Sequence, residues 1–390
     1  MLRRTLIPSL IAGSAAVLLL PLALAGGAAA QQKVTLNVMT AGDQNMVDYV
    51  TDYLGPLFEK QNPNVTVRSV GTGPGDAGSQ KIWERIDAQK KAGSATWDVD
   101  VAVIHQAMAG QMVKEGMLEA YRDKVSTGKL VTRDTAKNSL GANVDGYVIP
   151  MFHSQTAIAY NPSLVANPPS SLDELIAWTK ANPKKFGYNG IKGGMSGVAF
   201  VFGWVYANSP NPKQLMEGPY DAASKASIDA SLNKLKDFNQ NVVMTPGNAG
   251  TLDMLNRGEI TMGPVWVDMF YTWQNEGRLP PTMKLKLISP GLPGQPMYYV
   301  VPTKAAHADI AEKFIELATS PQVQADGIVK KFNWYPGIDA QNLEGKLDKA
   351  VWDKLFKDIT PQDLISKGQP MPIGPYFKEI QEEYEKIVQN

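Results

Sequence analysis

Cysteine is absent from all 390 residues, and only three histidines, His105, His153 and His307, are present. The first absence excludes disulfides, a thiol nucleophile and a lipid carried on an N-terminal cysteine. The second leaves no zinc-ligand spacing such as H-E-x-x-H, so neither a metal nor a cofactor is expected. No G-x-S-x-G elbow occurs, because GGMSG at 193–197 places its serine one position late. Charge of one sign is also missing. The 38 basic residues balance 38 acidic ones without a long run of either, which argues against a nucleic-acid or membrane-surface partner. No internal repeat of fixed period is found.

What is present begins with a leader. Arg3 and Arg4 precede an apolar run from Leu10 to Leu24, and Ala23-Leu24-Ala25 or Ala28-Ala29-Ala30 offers small residues for cleavage. Ser14 and Pro21 interrupt that run, and it is shorter than the roughly 18 to 20 residues of a spanning helix. Residues 1–30 therefore read as a secretory signal peptide. Removing them takes away two arginines and no acids, leaving 36 basic against 38 acidic residues. The Arg3-Arg4 pair does not decide between general and twin-arginine export. An exported chain without disulfides needs a large core, and a composition 44% hydrophobic and 19% charged supplies one. A protein diffusing freely in the periplasm of a Gram-negative cell fits best, and the length suits two lobes.

VTLNVM at 34–39 alternates like a strand, VDYVTDYLGPLFEKQNP carries apolar residues at helical spacing, and VTVRSV at 65–70 is a second strand. Strand, helix and strand in so short a span predict a βαβ unit and a parallel sheet. GTGPGDAG at 71–78 reads as a glycine-rich loop at a strand end, where open α/β sheets bind ligands. No Gly-Lys-Ser/Thr follows it, so it is no phosphate loop. A third strand ends at His105, and DGYVIPMFHSQTAIAY at 145–160 is an extended segment able to cross from one lobe to another. Ser170 or Ser171, with Glu174, predicts a capped helix opening the second lobe. SPGLPGQP at 289–296 reads as a loop, the strand 297–301 as a return to the first lobe, and 375–388 as an amphipathic surface helix.

Four segments carry a resemblance to a known family: LFEKQNPNVTV, WDVDVAVIHQAMAGQMVKEGMLEAY, RGEITMGPVW and YYVVPTKAAHADIAEKFIELATSPQVQADGIVKKFNWYPG. Across the mature chain the sequence resembles the extracellular solute-binding proteins, family 1, of ABC importers. IPMFHSQTAIAYNPSLVANPPSSLDELIAWTKANPKKFGY is similar to a subgroup associated with sugars, polyols, thiamine-like compounds or polyamines. The resemblance implies an α/β fold, a two-lobe periplasmic-binding-protein clamshell of type II. Each lobe would be a mainly parallel sheet flanked by helices, and a hinge would join them. The expected division is 31–152 with 290–390 as lobe 1 and 153–289 as lobe 2. It also implies a monomer that captures a small solute and delivers it to permease subunits in the inner membrane, with no catalysis.

Candidate ligand residues follow from strand ends and from that resemblance. Asp43 and Gln44 follow the first strand, Asp76 the second, and His105 ends the third. His153 and Gln155 lie in the crossing segment, and Trp334 and Tyr335 in the returning one. In the aromatic stretch GEITMGPVWVDMFYTW, Trp266 or Tyr271 would stack on a sugar face or on a cation, and Asp268 would accept from hydroxyls or pair with a positive group. The same aromatics equally suit the space between a helix and a sheet. A carbohydrate or polyol is the expected solute, with a cationic or aromatic one as the alternative. An exported hydrolase also stays open, since paired carboxylates are recognised by distance in space rather than along the chain.

Overall fold

The computed structural model describes residues 33–389, so the expected leader at 1–30 lies outside the described residues. The strands in chain order are β1 (Val34–Ala41), β2 (Val65–Gly73), β3 (Val101–His105), β4 (Asn138–Ser139), β5 (Ala142–Asn143), β6 (Ile149–Tyr160) and β7 (Phe186–Tyr188). They continue with β8 (Val242–Met244), β9 (Met262–Trp266), β10 (Lys284–Lys286), β11 (Leu292–Val300), β12 (Tyr335–Pro336) and β13 (Gly368–Gln369). Eleven of them form one mixed sheet whose main path is β2-β1-β3-β11-β6-β9-β7-β8.

The twelve residues of β6 join the two halves of that sheet. Its first part, Ile149 to Gln155, pairs antiparallel with β11 beside the parallel strands β3, β1 and β2. Its second part, Thr156 to Tyr160, pairs antiparallel with β9, beside parallel β7 and β8. Each half thus has three parallel strands, flanked by helices, and one long strand runs through both. The α/β clamshell architecture expected of the chain is the one observed.

Two local expectations are corrected. The predicted loop at 71–78 is the end of β2 followed by the helix Gly75–Lys91, because positive φ at Gly73 and Gly75 turns the chain at once. The Pro/Gly segment 289–296 is strand from Leu292 on, since pairing with β6 on one side and β13 on the other overrides its turn composition. The C-terminal helix Gly374–Ile387 buries Tyr376, Phe377, Ile380 and Tyr384. It packs on the helix Lys225–Asn239, with Phe377 edge-on to Phe202 at 4.9 Å and Tyr384 bonded to Tyr188, which places it against the β7–β8 half.

The capped helix forms as its sequence predicts. Ser171 accepts from the Glu174 backbone N–H at 3.2 Å, and the Glu174 side chain accepts from the N–H of Ser170 at 2.7 Å.

Candidate functional site

A cavity of about 40 Å³ lies where the two halves of the sheet face each other. Helix beginnings from both halves surround it. Asp43, Asn45 and Met46 come from the start of the helix Gln44–Asp48, Gly75 opens the helix Gly75–Lys91, and His105 precedes the helix Gln106–Lys114. From the other half come Met195, Asn248 and the run Trp266, Asp268 and Met269, each at a helix N-terminus. Phe152 and Ser154 of β6 and Gln295 and Met297 of β11 complete the wall.

Two carboxylates face this space and neither Lys nor Arg lines it. Burial pushes the Asp268 carboxyl up to about 6, even though Ser154 Oγ and Trp334 Nε1, the latter at 2.7 Å, both donate to it and Asp43 adds a smaller like-charge contribution. Burial also raises Asp43, against the hydrogen bond from Asn248. That bond, Asn248 Nδ2 to Asp43 Oδ2 at 3.1 Å, spans the cleft from one half to the other. The partial positive charge at the surrounding helix N-termini eases the holding of two acids in so dry a place.

His105 is neutral here, since burial lowers it to about 4. Its backbone N–H donates to Ser79 Oγ at 3.0 Å, and the same hydroxyl is hydrogen-bonded to the ring Nδ1 at 2.9 Å. Apart from Asn45 and Gln295, the large side chains in the rest of the wall are soft and apolar: the Trp266 indole, Phe152 and four methionines.

The sequence candidates separate into groups. Asp43, His105, Trp266 and Asp268 come together in the cavity. Trp334 stands behind it, fully buried, stacked on Phe152 at 4.5 Å and holding Asp268. His153, Gln155 and Tyr335 line a different pocket on the other side of β6 and β11. His153 donates from Nδ1 to the Pro336 carbonyl at 3.1 Å, and Gln155 donates to the carbonyls of Thr156 and Leu292. Gln44 bonds Asp48 on the exposed side of its helix, Asp76 lines a groove shared with the C-terminal helix, and Tyr271 donates to Asp358 at 3.4 Å. Sequence reasoning missed Asn248, Met195, Gln295 and Met297. Asn248 had a local signal in the Pro246-Gly247 break before its helix.

A profile of the bacterial extracellular solute-binding proteins matches residues 57–356. The chain belongs to that family. No curated protein sequence matches it. Solved structures share the fold at low identity. The Tp0655 (TpPotD) lipoprotein of Treponema pallidum is 12% identical, with a TM-score of 0.67 over 91% of this chain and 100% of its own. The spermidine/putrescine ABC transporter substrate-binding protein PotD of Streptococcus pneumoniae is 15% identical, with a TM-score of 0.66 over 91% and 100%. An ABC transporter solute-binding protein of Thermotoga lettingae, bound to α-D-tagatose, is 15% identical, with a TM-score of 0.68 over 92% and 94%. As a solute-binding component of an ABC transporter, this extracellular solute-binding protein takes a small molecule outside the cytoplasm and works with a permease. No helix among the described residues is long and apolar enough to cross a membrane, and no group of metal-ligating side chains is found among them.

Proposed function

We propose that this solute-binding protein captures a small organic cation, an amine, in the cavity between its halves and carries it through the periplasm to an ABC importer. The observation behind this reading is the pair Asp43 and Asp268 with no Lys or Arg among the lining residues. Burial raises both carboxyls without a cation nearby, and an ammonium group would supply the missing partner. The Trp266 indole and the methionine sulfurs suit the faces of such a cation. The cavity of about 40 Å³ has room for roughly three water-sized groups, enough for an ammonium head. Among the structural neighbours one is a spermidine/putrescine protein and another holds a sugar.

The expected carbohydrate remains the second reading, favoured by the Trp266 indole in the wall, a face on which a sugar ring stacks. In either case the protein works as a monomer that binds without catalysis. Its lobes divide at β6 and β11, with the C-terminal helix assigned to the β7–β8 lobe because it packs there.

The test is a thermal-shift panel on the chain from Gln31 onward, with putrescine, spermidine, choline, thiamine, glucose and tagatose. A ligand specific for the folded state at a hundredfold excess over its Kd stabilises by about 2.7 kcal/mol. A saturable rise with an amine is the expected result. A rise with a sugar and none with any amine overturns the cation reading.

A further inference from the structure

The hairpin of β4 and β5 turns through two residues, Leu140 and Gly141, both at positive φ, 53° and 85°. Two-residue hairpins favour that left-handed pair, but with asparagine, aspartate or glycine in it. Leucine adopts it rarely, since its Cβ crowds the following carbonyl oxygen. A residue persists in such a conformation only where its surroundings fix it, and Leu140 meets the opposite half of the molecule.

The Leu140 carbonyl accepts from the Gly374 N–H at 2.7 Å, at the first residue of the C-terminal helix that packs on the β7–β8 half. The first N–H groups of a helix have no partner inside it, so this one is available to bond across. Beside the bond, Leu140 shares a groove with Tyr220, Ile373 and Phe377 of that half. A Cβ added to Gly141 would stand 3.4 Å from Ile373, so the turn lies directly on it. Each partner is anchored in its own half. Ser139 Oγ donates to the Gln106 carbonyl at 2.9 Å, and a Cβ on Gly110 would fall 2.7 Å from Ala142 Cβ, so closely does the helix Gln106–Lys114 approach the hairpin. On the other side the Ile373 N–H donates to the Leu215 carbonyl at 2.9 Å, and Tyr376 Oη accepts from the Asp221 N–H at 2.7 Å. With both sides held, the contact follows the motion of the halves rather than that of a loose loop.

We propose that this turn is a latch, in which Leu140, seated on Gly374 and Ile373, holds the two halves closed whether or not solute is bound. Its groove and the solute cavity share no lining residue, so it acts independently of the bond from Asn248 to Asp43. A contact made only in the closed arrangement shifts the population towards it by its own free energy. The leucine is then accounted for: asparagine would suit the turn better, but it would not fill the apolar groove.

Spin labels on Glu84→Cys and Asn256→Cys, one in each half of a chain with no cysteine of its own, test this in the absence of solute. Gly374→Pro removes the N–H and sets ring atoms in its place, at a first helical position that proline commonly occupies. Gly374→Ala is the control. It keeps the N–H, its Cβ has only the Leu140 oxygen within reach, at 3.5 Å, and it bears the same restriction of preceding Pro375. Gly374→Pro should lengthen the distances and raise the ratio of open to closed molecules at least fivefold over Gly374→Ala, which should match the wild type. Leu140→Asn, which favours the turn but empties the groove, should raise that ratio about threefold. If Gly374→Pro does not fold, Leu140→Asn decides alone. The inference is overturned if folded Gly374→Pro and Gly374→Ala give the same distances, or if Leu140→Asn gives those of the wild type.

Discussion

Asp268 lines the cavity while almost wholly buried, and its two hydrogen-bond donors do not offset the burial that lifts its carboxyl to about 6. Its unfolded value is near 3.8, so between these values the folded state holds the extra proton and stability falls as pH rises. The penalty is complete above pH 6 and vanishes below the unfolded value. Asp268→Asn removes it at little structural cost, because the amide oxygen can accept from Trp334 and the amide nitrogen can donate to Ser154 Oγ. Urea unfolding without solute at about pH 7.5 should show the Asp268→Asn variant more stable than wild type by up to about 3 kcal/mol, the two converging near pH 3.5. Equal or lower stability at the higher pH would mean that the carboxylate is already compensated. The second prediction concerns binding. An ammonium ion needs Asp268 ionised, so affinity for an amine should be greatest above pH 6 and drop roughly tenfold per unit below it. Calorimetry at pH 7.5 and pH 5 reads this directly. A flat profile would favour a neutral solute such as a sugar, and Asp268→Asn should flatten the profile of an amine while lowering its affinity.

At the scale of elements, the strand-to-helix joints set the cavity. A methyl group at Gly78 would overlap the Gly73 carbonyl oxygen and come within 3.3 Å of Ala41 Cβ, so the helix Gly75–Lys91 can lie against the ends of β1 and β2 only with glycine there. Alanine is the better helix former by about 1 kcal/mol, yet the clash is with backbone and should win. Gly78→Ala should destabilise by roughly 1 to 3 kcal/mol and weaken solute binding, because Gly75 moves with the helix. Chemical denaturation and calorimetry would show it, and a more stable protein with unchanged affinity would refute the close approach. The joints also show what was legible beforehand. The crossing segment, the strand ends carrying Asp43 and His105, and the Trp266–Asp268 run could all be read, since each follows from local periodicity and turn residues. Parity along β6 could not. His153 and Gln155 were expected at the ligand, but strand alternation turns them to the hinge-side pocket and gives Phe152 and Ser154 to the cavity. Every residue from Ile149 to Phe152 is buried, so the segment shows no polar-apolar alternation to tell one face from the other. Asn248, Met195 and Gln295 were hidden for another reason, as their place depends on how two halves distant in sequence come to face each other.

For the molecule as a whole, the bond from Asn248 to Asp43 joins two halves that otherwise hinge on β6 and β11. Asn248 is fixed in its own half, because its side-chain oxygen accepts from Ser196 N and Oγ at 3.2 and 2.7 Å. Asn248→Asp keeps those acceptor contacts but replaces the amide donor with a second carboxylate against Asp43. A hydrogen bond to a charged group contributes about 1.5 to 3 kcal/mol, so its loss, with like charges added, should raise the ratio of open to closed molecules at least tenfold above pH 7. The absence of native cysteine makes the measurement clean: spin labels on Glu84→Cys and Asn256→Cys report the distance between the helices Gly75–Lys91 and Gly247–Asn256, one in each half. The variant without solute should shift to longer distances than the wild type. A dication, which screens the two acids from each other, should restore the shorter distance, whereas a sugar should not. An unchanged distance distribution would show that closure rests on the other contacts between the halves and that the bond across the cleft merely accompanies it.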